Sequence, residues 1–403
     1  MSHRLKRTHA GSRRSFLCSS DERILVTHAG SLPRPRSLVS LLVRKSRREA
    51  VDEERLSAEI DAATRHVVEK QLEAGVDVGN DGEQPRESFF TYVQHRMTGF
   101  GGESRRPVMR DLVRYPSFVE MHLAPLLGRE MVSLMRAPKA IGDVRYVDRQ
   151  PLDRDIERFH RLLGSIGRDF RESFWTAASP GIIASAMEND HYATYERYVT
   201  AVAEALRTEY EIIVSRGFVL QIDAPDLAME RHTSYADRSL AAFLDYVDMN
   251  VAAMNRAIER IPADRVRLHV CWGNYEGPHD LDVPLDDILV RLYDAHAGAL
   301  VLSLANPRHE HEYHCFERHP LPDRMSLVAG VVDTTTNYVE HPEVVAERIE
   351  RIAHAVGDPK RIFAGTDCGF DTAAGLGDVA DEVVWAKLAA LRAGADLASR
   401  RLF

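Results

Sequence analysis

The sequence predicts an α/β protein folded as one (β/α)8 TIM barrel, and three observations carry that expectation. Short apolar runs of strand length alternate with longer stretches of helical period from residue 21 onward. Nearly every run ends in a reactive or small residue. No Pro/Gly/Ser-rich linker divides the chain, so 21–403 reads as a single domain.

The candidate strands, in order, are Ile24–His28, Val76–Asn80, Lys139–Val144, Phe174–Ala178, Val219–Asp223, Val266–Cys271, Leu300–Leu304, Leu327–Val332 and Ile362–Thr366. Helix-period stretches between them include 50–74, 194–216, 239–260 and 342–356. Start signals such as His341-Pro342-Glu343 and Pro284-Leu285-Asp286-Asp287 mark helix N-termini. This alternation indicates parallel strands joined by right-handed crossovers. Nine candidates exceed eight, and Lys139–Val144 is the one to leave out, because it follows an irregular segment, 98–138. An insertion around 98–146, folded over the barrel mouth, is expected there. A doubly wound open sheet is the competing architecture. It uses only the strand ends at its switch point, whereas here His28, Asp81, Ser179, Asp223, His269, Asn306 and Asp367 all fall at such ends. A closed barrel gathers those ends on one face.

Composition narrows the function. The 403 residues carry a net charge of −9, which argues against nucleic-acid or anionic-membrane partners. No apolar run approaches the roughly 18 residues of a membrane span. The four cysteines, Cys18, Cys271, Cys315 and Cys368, are too few and scattered for a disulfide framework, so a cytoplasmic setting is expected. Ser12-Arg13-Arg14-Ser15-Phe16-Leu17 has the look of a twin-arginine signal, but polar Cys18-Ser19-Ser20-Asp21-Glu22-Arg23 follows instead of an apolar stretch. Residues 1–20 read as a disordered basic tail.

His269 and Cys271 are one residue apart on a candidate strand and so point to the same side. Cys368, 97 positions later, follows another candidate strand, and closes on the same point only in a folded barrel. One imidazole and two thiolates suit Zn2+, which in catalytic sites keeps three protein ligands and an open position. The alternative is a core cysteine beside a strand-end histidine.

Thr27-His28-Ala29-Gly30-Ser31-Leu32-Pro33-Arg34-Pro35, Asp81-Gly82-Glu83, Ile141-Gly142-Asp143-Val144, Gln221-Ile222-Asp223-Ala224-Pro225, His269-Val270-Cys271 and Asp367-Cys368-Gly369 occur in that order. Together they resemble the catalytic C-terminal barrel of cobalamin-independent methionine synthase and its single-domain relatives, among them epoxyalkane:coenzyme M transferase. The resemblance spans 23 to about 395. It implies that His269, Cys271 and Cys368 bind zinc, that the zinc holds a substrate sulfur as thiolate, and that Gly30, Ser31, Glu83 and Asp223 hold an amino-acid thiol. Glu83 and Asp223 reaching one ammonium is sound chemistry, since charge-assisted hydrogen bonds are the stronger kind. Helix capping or pairing with an arginine is the other role open to these acids.

Three positions depart from that pattern. Ser303 stands where the resemblance implies a glutamate ligand, leaving Glu310, His311, Glu312 or an open site. Thr335 stands where a proton-donating histidine belongs, with Asp333 as a candidate catalytic group two residues before it. Ala186 stands where a folate-stacking tryptophan belongs. In Pro307–His314, Arg308 is a candidate contact for an anionic substrate group, and a second metal site or a solvated loop are the alternatives. Trp272 and Tyr275 either wall the pocket or pack, and Cys315 reads as structural. The expected function is a zinc-dependent S-methyltransferase or alkyltransferase whose partners are a small-molecule thiol and an alkyl donor. Epoxide opening by a thiol such as coenzyme M is the main alternative. A zinc-free barrel decarboxylase like uroporphyrinogen decarboxylase and a non-catalytic zinc- or thiol-binding barrel are the others.

Overall fold

A computed structural model describes residues 20–403. It contains ten strands: β1 Leu25–Val26, β2 Val78–Gly79, β3 Met97–Gly101, β4 Lys139–Tyr146, β5 Glu172–Ala178, β6 Val219–Asp223, β7 Val266–Val270, β8 Ala299–Ser303, β9 Ser326–Val332 and β10 Ile362–Thr366. Eight form one parallel sheet in the order β1-β10-β9-β8-β7-β6-β5-β2. The two ends of that sheet meet: Thr27 bridges Val78 in parallel, and the Asp77 amide donates to Val26 O at 2.9 Å. The sheet is therefore a barrel, as the alternation and the loaded strand ends indicate.

The helices that wrap it begin where the sequence signals. Asp52, Thr194 and Ser239 each accept a backbone N–H with their side chains at the starts of Glu53–Glu73, Tyr195–Ser215 and Leu240–Ala257, satisfying donors that a helix start leaves unpaired. His341 caps Pro342–Val356 in the same way. Their apolar faces pack on outward strand residues such as Trp175, Ile222 and Leu268 in the main core. A smaller cluster with Leu25, Phe174, Val219, Val301 and Phe363 fills the lower barrel interior. Above it lies a polar layer. Arg267, buried over the Phe174 ring, donates to Gln221 Oε1 at 2.7 Å and to His28 O at 2.9 Å.

Lys139–Val144, excluded from the barrel on sequence, is excluded in the structure: β4 pairs antiparallel with β3, Met97 opposite Tyr146 and Gly101 opposite Lys139. The strand β3 itself falls inside a segment the sequence marks as irregular. Its Met-Thr-Gly-Phe-Gly sequence reads as a turn, and only pairing across the ribbon makes it extended. The segment between the two strands crosses the mouth and is tied down by ion pairs such as Arg106–Glu230 and Arg129–Asp378. Among the described residues no helix is long and apolar enough to cross a membrane. Of the expected basic tail, residues 1–19 lie outside the described residues. Ser20 is buried and donates to Ile362 O at 2.8 Å.

Candidate metal centre

Strands β6, β7 and β10 place the central group. His269 and Cys271 leave the end of β7 on one side, and Cys368 follows β10. One ligand atom from each of His269, Cys271 and Cys368 lies within 4.8 Å of the other two, and all three residues are buried. The two sulfurs are 3.9 Å apart. Two thiolates at zinc bond lengths in a tetrahedron stand about 3.8 Å apart, so the pair is spaced for one ion. His269 Nδ1 donates to Asp223 Oδ1 at 3.0 Å, and its Nε2 is a buried atom with no partner. An imidazole fixed through one nitrogen and bare at the other is the state of a metal ligand with its supporting carboxylate. The residues fit zinc.

The charges of this group depend on each other. The Cys368 S–H beside Cys271 lowers the Cys271 thiol well below its ordinary range, and Cys368 is correspondingly raised. Burial lowers His269, but the bond to Asp223 and the charge of the neighbouring Cys271 sulfur outweigh it and push the imidazole up to about 10. A divalent ion held by His269, Cys271 and Cys368 would take the place of those shared protons.

The expected substrate residues gather on one side of this group. Gly30, Ser31 and Glu83 follow β1 and β2, the two strands that close the barrel. Gly30 has φ of 137°, and a Cβ there would lie 2.7 Å from Glu83 Oε1, so only glycine lets the acid approach. Similarly, a Cβ on Gly369 would sit 2.0 Å from Ser31 Oγ, which explains the glycine after Cys368. Glu83 accepts from Thr176 Oγ1 at 2.8 Å through Oε1, while Oε2 is buried and unpartnered. Burial raises its pKa, Arg86 opposes, and Asp223 adds to the rise. Asp223 holds His269 and accepts from Gln221 Nε2 at 2.7 Å, both on Oδ1. It is paired in register with His269, which puts both side chains on the inner face.

Ser31, Glu83, Asp223, His269, Cys271 and Cys368 all line one cavity of about 660 Å³. A second cavity, of about 250 Å³, touches Cys271 and Cys368 from the other side and is lined by Arg308, Asp333 and Thr335. Arg308 is exposed and is not brought to the larger cavity. Asp333 Oδ1 is taken by the amides of Thr335 and Thr336 at 2.7 and 2.9 Å. Ser303 donates to Asp367 O at 2.7 Å. Glu310 pairs with Arg348, Glu312 accepts from the Leu285 amide and from His309, and His311 is exposed. None of these three joins the metal group among the described residues. Ala186 is buried in the main core. Trp272 is packed, stacked on His309 with Nε1 donating to Val283 O. Tyr275 lines both cavities and donates to Asp111. Cys315 is buried.

Sequence reasoning missed the Asp223–His269 bond. Both residues end strands, but which strands are neighbours, and in what register, is not written locally. It also missed a cluster around Asp282, which accepts from His279 Nδ1 at 2.8 Å and His309 Nε2 at 2.9 Å, with His232 Nδ1 2.9 Å from its other oxygen. Asp282 sits in a loop with no motif to mark it.

The family described as the cobalamin-independent synthase, catalytic domain, matches residues 176–390, more than half of the chain. The chain belongs to that family. A methionine synthase from Sulfolobus acidocaldarius is 25% identical over 85% of this chain and 84% of its own length. A 2-hydroxypropyl-CoM lyase from Xanthobacter autotrophicus is 22% identical, covering 77% of this chain and 79% of its own. The solved B12-independent methionine synthase from Shewanella sp. W3-18-1 superposes with a TM-score of 0.70 at 21% identity, over 94% of this chain and 99% of that one. That superposition supports the barrel fold.

Proposed function

We propose that this member of the synthase family is a zinc-dependent transferase that alkylates a small thiol, with His269, Cys271 and Cys368 as the ligands. The observation that carries the reading is the convergence of one bare imidazole nitrogen and two sulfurs within 4.8 Å. Zinc bound there supplies deprotonation of a thiol with a free pKa of about 8.5, leaving a sulfur nucleophile at neutral pH. Asp223 fixes the His269 ring, and Gln221, itself held by Arg267, fixes Asp223 in turn. Glu83, with one unpartnered oxygen, and Asp223 face the cavity as acceptors for the amino group of an amino-acid thiol. Gly30 and Ser31 bring backbone beside them. As the carbon–sulfur bond forms, the bond from that carbon to its carrier breaks, and the carrier leaves with the electron pair.

Methyl transfer to homocysteine or a similar amino-acid thiol is the first form of this reading. Buried acids beside the sulfur position favour a cationic group there. Epoxide opening by an anionic thiol is the second form, supported by the likeness to the CoM lyase and by Arg308 at the smaller cavity. Cobalt substitution tests the reading: thiols that reach the site change the thiolate charge-transfer bands. Homocysteine and simple thiols leaving those bands unchanged overturns it.

A further inference from the structure

The larger cavity extends from the sulfur position outward, and its character changes along the way. At the metal end it is polar: Ser31, Glu83, Asp223 and the three candidate ligands. Beyond them its walls are almost wholly hydrocarbon and thioether. The segment crossing the mouth contributes Val108, Met109, Leu112, Met131, Leu134 and Met135, and Met229 faces them from the barrel. Methionine is the side chain that fills irregular apolar space and adapts to what occupies it.

The few charges on these walls are arranged against an anion. Among the described residues, the cationic side chains on the lining apart from His269 are Arg106 and His122. Arg106 is consumed by buried Glu230, 3.0 Å away, and His122 is exposed and stacked on Phe118. Against them stand Glu83, Asp223 and Glu276, while Asp378 is itself paired with Arg129. A carboxylate- or phosphate-bearing donor entering this space meets acids and a neutralised arginine, and loses water to apolar walls that return no hydrogen bond. An uncharged alkyl donor loses nothing of that kind and gains from burial.

We infer that the second substrate of this site is an uncharged, apolar alkyl donor, with its chain lying between the mouth-crossing segment and Met229 and its reacting carbon toward the metal end. This rests on the transferase reading above and names the class of its donor.

Straight-chain primary alcohols from propanol to octanol, titrated calorimetrically into the zinc-loaded full chain, test the pocket without requiring turnover. Affinity is expected to rise roughly fourfold per methylene, the equivalent of about 0.8 kcal/mol for each buried CH2. Carboxylates of equal length are expected to bind at least roughly tenfold more weakly. Met135 is partly exposed, so Met135→Lys keeps a route to water for its ammonium; it is expected to weaken the long alcohols and strengthen the carboxylates. An affinity independent of chain length, or carboxylates that match the alcohols on the parent protein, overturns the inference. The same chain lengths as 1-alkanethiols, followed in the cobalt spectrum, separate the two claims. Alcohols that follow the series while no thiol alters the spectrum support the apolar pocket and defeat the thiol chemistry. Thiols that alter the spectrum beside a flat alcohol series do the reverse.

Discussion

His269 and His309 are both buried and both bonded to an aspartate near the mouth of the barrel, yet the atoms they leave over differ. His269 spends Nδ1 on Asp223 and keeps Nε2 bare, facing two sulfurs. His309 spends Nδ1 on Glu312 and Nε2 on Asp282, at 2.8 and 2.9 Å. The second cluster has more histidines, since His279 and His232 also reach Asp282, but they share that one carboxylate, and the Nε2 that His232 leaves bare meets no group of further ligands among the described residues. What separates the candidate metal site from a structural knot here is convergence, because among the described residues only the bare His269 nitrogen has two sulfurs gathered on it, and a count of histidines alone would choose wrongly.

The largest effect expected from this contrast is on metal content. Purified protein should hold about one zinc per chain, and Cys271→Ser or Cys368→Ser should remove most of it while His309→Gln leaves it in place. Elemental analysis decides; full zinc in both serine variants breaks the comparison. Next comes stability. Asp282→Asn strands buried imidazolium charge and should cost about 3–5 kcal/mol in denaturant unfolding, with zinc stoichiometry unchanged. A stable Asp282→Asn protein that has lost its zinc would reverse the roles given to the two clusters.

Asp223→Asn sharpens the first half. Zinc affinity should fall about 10- to 100-fold, the usual cost of losing the carboxylate behind a ligand histidine. At saturating zinc the same variant should bind an amino-acid thiol about 1.5–3 kcal/mol less tightly, and a thiol lacking the amino group as before. Should Asp223→Asn leave an anionic thiol unharmed or improved, with Arg308→Ala damaging, the second form of the function gains. The smallest effect is a pH trend. Burial lowers His309, but Asp282 and Glu312 push it up to about 9. Its contribution to stability is whole below the ordinary histidine pKa of about 6.5 and is lost as pH rises through 9. Tm should therefore decline across that window, and more shallowly in His309→Gln. Equal slopes in the two proteins would remove His309 from the account.

The barrel was legible because its information is local: all eight barrel strands fall on candidate runs whose centres match the structure, and caps such as Ser239 mark helix starts. The convergence of the candidate ligands was legible because a period of two aligns His269 with Cys271 and a polar turn singles out Cys368. What escaped depends on neighbours in space. The Asp223–His269 pair follows from strand register, β3 from its partner β4, and the apolar walls of the cavity from a segment whose periodicity is too short to read. Arg308 stood out as a cation beside a motif, but its loop carries it to the smaller cavity and into solvent.

The closure of the barrel has a mechanical side. β1 and β2 are two residues long and meet at one bridge, Thr27 to Val78, whereas β6, β7 and β10 are each five residues long with ladders on both sides. The candidate metal ligands hang from the well-laddered staves, and Gly30, Ser31 and Glu83 hang from the seam. The residues proposed to grip the thiol therefore sit on the edge with the shortest strands, and the candidate metal centre on strands that neighbours brace from both sides. On the proposed function, substitutions confined to that edge change which thiol is accepted and leave the candidate metal ligands in place.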